Sequence, residues 1–161
     1  MPDRFPAPAG DLEIPAVDEQ MCFALYAASR AVTNLYRPLL APLGLTYPQY
    51  LVMMLVWERG ECSVKEIGAA LQLDYGTLTP LLKRLEANGL LRRNRDPRDE
   101  RSVLATATDE GVALQSRARG IPEAIRRVID LPEDEFEATR RALRQLTAHV
   151  LAGEATVTEE S

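Results

Sequence analysis

A chain of 161 residues, 46% of them hydrophobic and 27% charged, is long enough to bury one substantial core and has an ordinary globular composition. Two cysteines exclude a disulfide scaffold. With a single histidine, His149, they also leave a zinc cage or a Ser-His-Asp or Cys-His catalytic centre with little support. The net charge of −5 opposes nucleic acid only on average: Lys83 to Arg101 hold seven basic residues against four acidic ones, whereas residues 130–161 carry eight acids and three arginines. No glycine-rich phosphate loop appears, and neither a metal nor any other cofactor is expected. The longest apolar run, "LVMMLVW" (51–57), falls far short of the roughly 20 residues of a membrane span. The N-terminus lacks the basic-then-apolar pattern of a secretory signal, so the chain reads as cytoplasmic and not as an enzyme.

Residues 1–17, rich in Pro, Ala and Asp, read as a flexible arm, and 153–161 as a flexible tail. A helical pattern runs from Glu19 to Leu40, broken around Pro38 and Pro42 and closed by Gly44. "TYPQ" (46–49) has capping-box spacing and opens a helix from Tyr47 to Glu58; "SVKE" (63–66) opens a shorter one ending near Leu71. Asp74 can cap a fourth helix closed at "NG" (88–89). "LLRRN" (90–94) and "RSVLATA" (101–107) read as two strands joined by the turn-rich "RDPRDE". "TDEG" (108–111) starts a long helix towards Val128, and Pro132 opens a last helix ending near Ala152, on which His149 faces solvent. This order predicts a mainly α fold, a winged helix-turn-helix with a short β-hairpin wing and flanking helices at both ends.

In the fourth helix Leu78, Leu81, Leu82 and Leu85 follow i, i+3, i+4, i+7 and form one core-facing stripe. Gly76, Thr79, Pro80 and Lys83 fall on or near the opposite face, with Arg84 at its edge. Small and hydroxylic residues followed by cations suit a helix lying in a major groove beside phosphates. Pro80 lacks an N–H, so the helix either bends there or starts at Thr79-Pro80. In the hairpin, Arg98 and Arg101 flank a turn beside Asp99, whose carboxylate can hold an arginine in a fixed fork for a narrow groove.

The stretch "LDYGTLTPLLKRLEANGLLRRNRDPRDERSVLATATDEG" (73–111) resembles the winged-helix core of the MarR family of bacterial regulators. "GTLTPLLKRLE" and "DERSV" are similar to its organic hydroperoxide-sensing branch, and the likeness extends upstream through residues 22–58, covering roughly 20–150. The resemblance implies a single domain over 18–152, with dimerisation helices at about 19–43 and 109–152 and a winged helix at about 46–107. It implies that Cys22 is a redox-sensing thiol, and that Tyr36 and Tyr47 hydrogen-bond its sulfur, with Tyr26 nearby. It further implies that Thr77, Thr79, Lys83 and Arg84 face the groove, and that Arg98, Asp99 and Arg101 form the DNA-contacting wing. Some members carry a resolving cysteine in the C-terminal helices; this chain has none after Cys62, which is assigned no redox role.

The chemistry is compatible with that assignment. A thiol attacks peroxide as thiolate, and phenol O–H donors favour the charged sulfur. Apolar neighbours such as Phe23 and Leu25 would favour an organic hydroperoxide. Cys22 and Tyr36 are 14 residues apart, about 21 Å on a straight helix, so Tyr36 must come from a partner subunit. The expected protein is a homodimeric repressor of double-stranded DNA bearing an inverted-repeat operator. Oxidised Cys22 passes to a low-molecular-weight thiol or a backbone nitrogen, and the operator is released. Two alternatives share parts of this pattern: a MarR-type regulator answering a non-covalent small ligand, and a thiol-dependent peroxidase.

Overall fold

The computed structural model describes residues 15–159, with side chains described as far as Gly153; residues 1–14 of the expected arm and 160–161 of the expected tail lie outside the described residues. It comprises two compact units, one ending at Arg119 and the other beginning at Gly120.

The first unit opens with a 3-10 turn, Val17–Glu19, and helix α1, Met21–Leu40. The break expected around Pro38 does not occur: α1 runs through it, on an exposed part of the last turn where a missing backbone bond costs least. A 3-10 turn, Ala41–Leu43, then ends at Gly44, whose φ of +67° only glycine adopts without strain. The chain turns by 70° into helix α2, Tyr47–Arg59. Both sides of the Thr46 capping box form: the Gln49 N–H donates to Thr46 Oγ1, and the Thr46 N–H donates to Gln49 Oε1 at 2.9 Å.

Strand β1, Glu61–Ser63, follows, then helix α3, Val64–Leu71, with the Ser63 capping box formed as well. Helix α4 is Tyr75–Ala87, and strands β2, Leu91–Asp96, and β3, Asp99–Ala107, make the hairpin. β3 lies at the centre of the sheet, antiparallel to β2 on one side and to β1 on the other, with Cys62 opposite Ala105. β1 was not expected from sequence: three residues carry no readable alternation, and only pairing with a strand more than forty positions away defines them.

α4 starts at Tyr75, not at Thr79-Pro80. Asp74 caps it, accepting the Thr77 N–H at 2.7 Å, while Pro80 and Gly76, whose carbonyl a proline cannot serve, are both exposed. Leu78, Leu82 and Leu85 are fully buried, with Leu81 half-buried beside them. They join Val52, Met53, Val56, Ile67 and Leu91 in the core, where each large apolar side chain contributes about 1.5–3 kcal/mol. Helix α5, Asp109–Ala118, closes this unit, capped by Thr108.

The second unit holds helices α6, Ile121–Ile129, and α7, Glu133–Glu159. The long helix expected from 109 towards Val128 is therefore two helices. Pro122 fits a first turn but not a helix interior, so the chain breaks at Gly120 and starts again. Pro132 directly precedes α7, and the helix continues past Ala152 into the stretch expected as tail. Within this unit the Arg126 guanidinium lies 4.3 Å over the Phe136 ring and pairs with Glu133 at 3.1 Å. His149 is exposed, as expected. Among the described residues no single helix is long and apolar enough to cross a membrane.

Candidate functional site

One candidate site is the exposed face of α4 with the wing beside it. The Asp74 carboxylate holds Thr77 twice, through its N–H and through its hydroxyl at 2.8 Å, and this hydrogen bonding keeps the carboxyl below its usual range. Thr79 donates its hydroxyl to the Tyr75 carbonyl at 2.8 Å, so its methyl and a lone pair remain for an outside partner. Lys83 and Arg84 are exposed a turn further on. Tyr75 is 71% exposed in the first turn, an unusual place for a large aromatic, and was not singled out from sequence. The signal was available: position one after a capping Asp, outside the leucine stripe.

The wing is set by two carboxylates. Glu86 on α4 accepts from Arg93 on β2 through Nε at 3.0 Å and Nη2 at 2.6 Å, a fork that fixes the hairpin against the helix and holds the Glu86 carboxyl low. Asp96, not Asp99, makes the fork inside the turn: it accepts the Arg98 N–H at 2.8 Å and Nε at 3.0 Å, and Arg98 also reaches Glu61 at 3.7 Å. Asp99 instead accepts the backbone N–H of Arg101 at 3.1 Å. The reason is the irregular register at Arg95/Asp96, which pairs Asp96 with Asp99 and leaves Pro97–Arg98 as the turn. Arg92, Arg95 and Arg101, with Lys83 and Arg84, are exposed and form no ion pair with a described residue.

The second candidate site is split. Tyr36 of α1 and Tyr47 of α2 face each other with ring centroids 4.4 Å apart, and Tyr50 lies 6.0 Å from Tyr36. Burial, followed by the neighbouring Tyr47 and Tyr50, pushes the Tyr36 phenol up to about 12; burial also raises Tyr47 and Tyr50. All three therefore remain O–H donors at neutral pH. Trp57 lies 6.3 Å from Tyr50 and donates its indole N–H to the Gly111 carbonyl at 2.8 Å. Tyr50 and Trp57 were missed from sequence, although 47, 50 and 57 follow i, i+3, i+10 along one helix face.

Cys22 is not brought to these phenols within the chain. It sits in the first turn of α1, exposed, with Tyr36 about 21 Å along the same unbroken helix. Residues 21–30 are all exposed, including Met21, Phe23, Leu25 and Tyr26; the Tyr26 hydroxyl accepts from Arg30 at 3.2 Å. Cys62 is buried in β1 with its sulfur 3.9 Å from the Leu55 carbonyl, and burial pushes its thiol up, away from the reactive thiolate.

A capped helix with an exposed polar and cationic face, carried behind a shorter helix and clamped to a charged hairpin, defines a winged helix-turn-helix DNA-binding protein. The MarR family model matches residues 45–103. The organic hydroperoxide resistance transcriptional regulator of Bacillus subtilis is 45% identical over 81% of this chain and 88% of its own length, and the chain belongs to the MarR family of transcriptional regulators. The regulator TtmR of Methylorubrum extorquens is 51% identical over 80% of this chain, a match spanning 64% of that longer protein. Among solved structures, reduced AbfR bound to DNA superposes with a TM-score of 0.69 at 37% identity, covering 84% of this chain and 94% of the other; overoxidized AbfR has also been solved on DNA.

Proposed function

We propose that this regulator is a cytoplasmic homodimeric repressor that senses organic hydroperoxides through Cys22 and then releases an inverted-repeat operator. The observation that carries the reading is the split site: a thiol on an exposed apolar helical stretch at one end of α1, and a half-buried pair of phenol donors at the other. A second copy, packed along residues 21–30, covers Met21, Phe23, Leu25 and Tyr26 and places its own Tyr36 and Tyr47 against Cys22. Similarity to a regulator named for organic hydroperoxide resistance, and to AbfR solved in reduced and overoxidized forms, supports it.

The Cys22 thiolate attacks the terminal peroxide oxygen; the O–O bond breaks, sulfur takes the OH and becomes a sulfenic acid, and the departing alkoxide takes a proton from water and leaves as an alcohol. A low-molecular-weight thiol then condenses with it to a mixed disulfide, releasing water; a backbone nitrogen would give a sulfenamide instead. Either product removes the acceptor to which the phenols donate. On DNA, Thr77, Thr79, Lys83 and Arg84 face the major groove and Arg101 the neighbouring minor groove. Arg98 and Asp99 shape the wing.

The test is a gel shift on an inverted-repeat promoter fragment, with and without cumene hydroperoxide. Wild type should release the fragment, and Cys22→Ser should hold it under the same dose. A Cys22→Ser protein that lets go as readily as wild type would sink the sensing role of Cys22.

A further inference from the structure

We infer that Trp57 is a positioning residue that couples the tyrosine pair to the base of the DNA-binding wing; the inference rests on the peroxide-sensing reading above. A continuous line of packed groups leads from one to the other. Tyr36 touches Tyr47 and Tyr50, and Tyr50, almost fully buried, meets the Trp57 ring edge to face. The indole has one donor, and it is spent on Gly111 in the first turn of α5 at 2.8 Å. Gly111 is itself pinned. A Cβ there would lie 2.1 Å from the Leu90 carbonyl, and its N–H donates to Thr108 Oγ1 at 3.1 Å. Thr108 in turn donates its hydroxyl to the Gly89 carbonyl and its N–H to the Leu90 carbonyl at 3.2 Å. Gly89 and Leu90 are the link between the end of α4 and the start of β2.

The aromatic face of α2 and the first turn of α5 are thus one close-packed block, and the α4–wing link is seated on it. Packed interiors have no slack to absorb a displaced ring, so they rearrange between discrete states. When the phenols lose their acceptor and shift, Trp57 either carries Gly111 with it or gives up that bond. Both outcomes reseat Leu90 and with it the hairpin that the Glu86–Arg93 fork aligns to α4.

Trp57 is the chain's only tryptophan, so tryptophan emission reports the surroundings of this one ring. In the full-length protein, cumene hydroperoxide at doses that release operator should shift the Trp57 emission in wild type and leave it unchanged in Cys22→Ser. Trp57→Phe keeps a ring but no N–H. It should lose its Cys22 thiol at the wild-type rate, followed by mass, and bind operator normally when reduced. The ratio of reduced to oxidised affinity should shrink on the order of fivefold or more. Oxidised Trp57→Phe releasing DNA as wild type does, or wild-type emission that stays constant through release, overturns the coupling. Should Trp57→Phe fail to fold, the emission arm still decides. A wild type that keeps its operator with Cys22 oxidised overturns the sensing reading itself, a result the mass measurement tells apart.

Discussion

The rings of Tyr36 and Tyr47 stand 4.4 Å apart with planes tilted by 41°, although they belong to different helices separated by the Gly44 turn. That turn folds α2 back so that its first residue meets the last third of α1. The two phenols are therefore presented together, at the end of α1 remote from Cys22. No side chain bridges about 21 Å, so Cys22 of the same chain does not reach them.

Mixed dimers test this directly. A Cys22→Ser chain is combined with a Tyr36→Phe, Tyr47→Phe chain. If the partner supplies the phenols, one of the two sites keeps its thiol and both tyrosines and reacts with peroxide at the wild-type rate. Stopped-flow oxidation showing no fast phase would place thiol and phenols in the same chain.

The exposed, unpaired cations set the expectations for DNA. Lys83→Ala, Arg84→Ala and Arg101→Ala should each weaken operator binding while leaving the thermal melt unchanged. Each lost phosphate contact should lower the slope of log affinity against log salt by about one unit. Anisotropy titrations at several salt concentrations measure both, and unchanged affinity in all three variants would remove the groove assignment.

Gly111→Ala addresses packing. Its new methyl would meet the Leu90 carbonyl at 2.1 Å, and backbone on both sides has little room to yield. A loss of about 1–3 kcal/mol or more is expected. Denaturant melts read it; a variant as stable as wild type would mean that α5 docks more loosely than described.

Stability should also fall at high pH. The Tyr36 phenol is raised to about 12 from 10.0 and Tyr47 and Tyr50 are raised too, all chiefly by burial. Between the two values the unfolded chain has given up protons that the folded one keeps, so the contribution is intact below pH 10 and lost as pH rises towards 12. The sign reverses for Asp74, Glu86 and Asp96, whose carboxyls are lowered by hydrogen bonds from Thr77, Arg93 and Arg98. Their contribution is present above the ordinary 3.8–4.5 and lost in acid. Melts across pH, with the tyrosinate absorbance followed in parallel, check both limbs; early titration of all the tyrosines would contradict the packed cluster.

What the sequence determined by itself was local in origin. The capping boxes at Thr46 and Ser63, the Asp74 cap and the stop at Gly44 formed as read, because each is decided by residues within four positions. The leucine stripe of α4 followed from helical period alone, and so did the distance between Cys22 and Tyr36 along one helix. Features that depend on distant partners were decided only by the tertiary structure. β1 exists because Glu61–Ser63 pair with β3, and no three-residue pattern announces that. The register irregularity at Asp96 decided which carboxylate grips Arg98: the sequence pointed to Asp99, and the fold gives that place to Asp96. Tyr50 and Trp57 gained their place from the angle at which α2 meets α1 and from the contact of α5 with Leu90. Short-range hydrogen bonds leave a signature in adjacent letters; packing between elements does not.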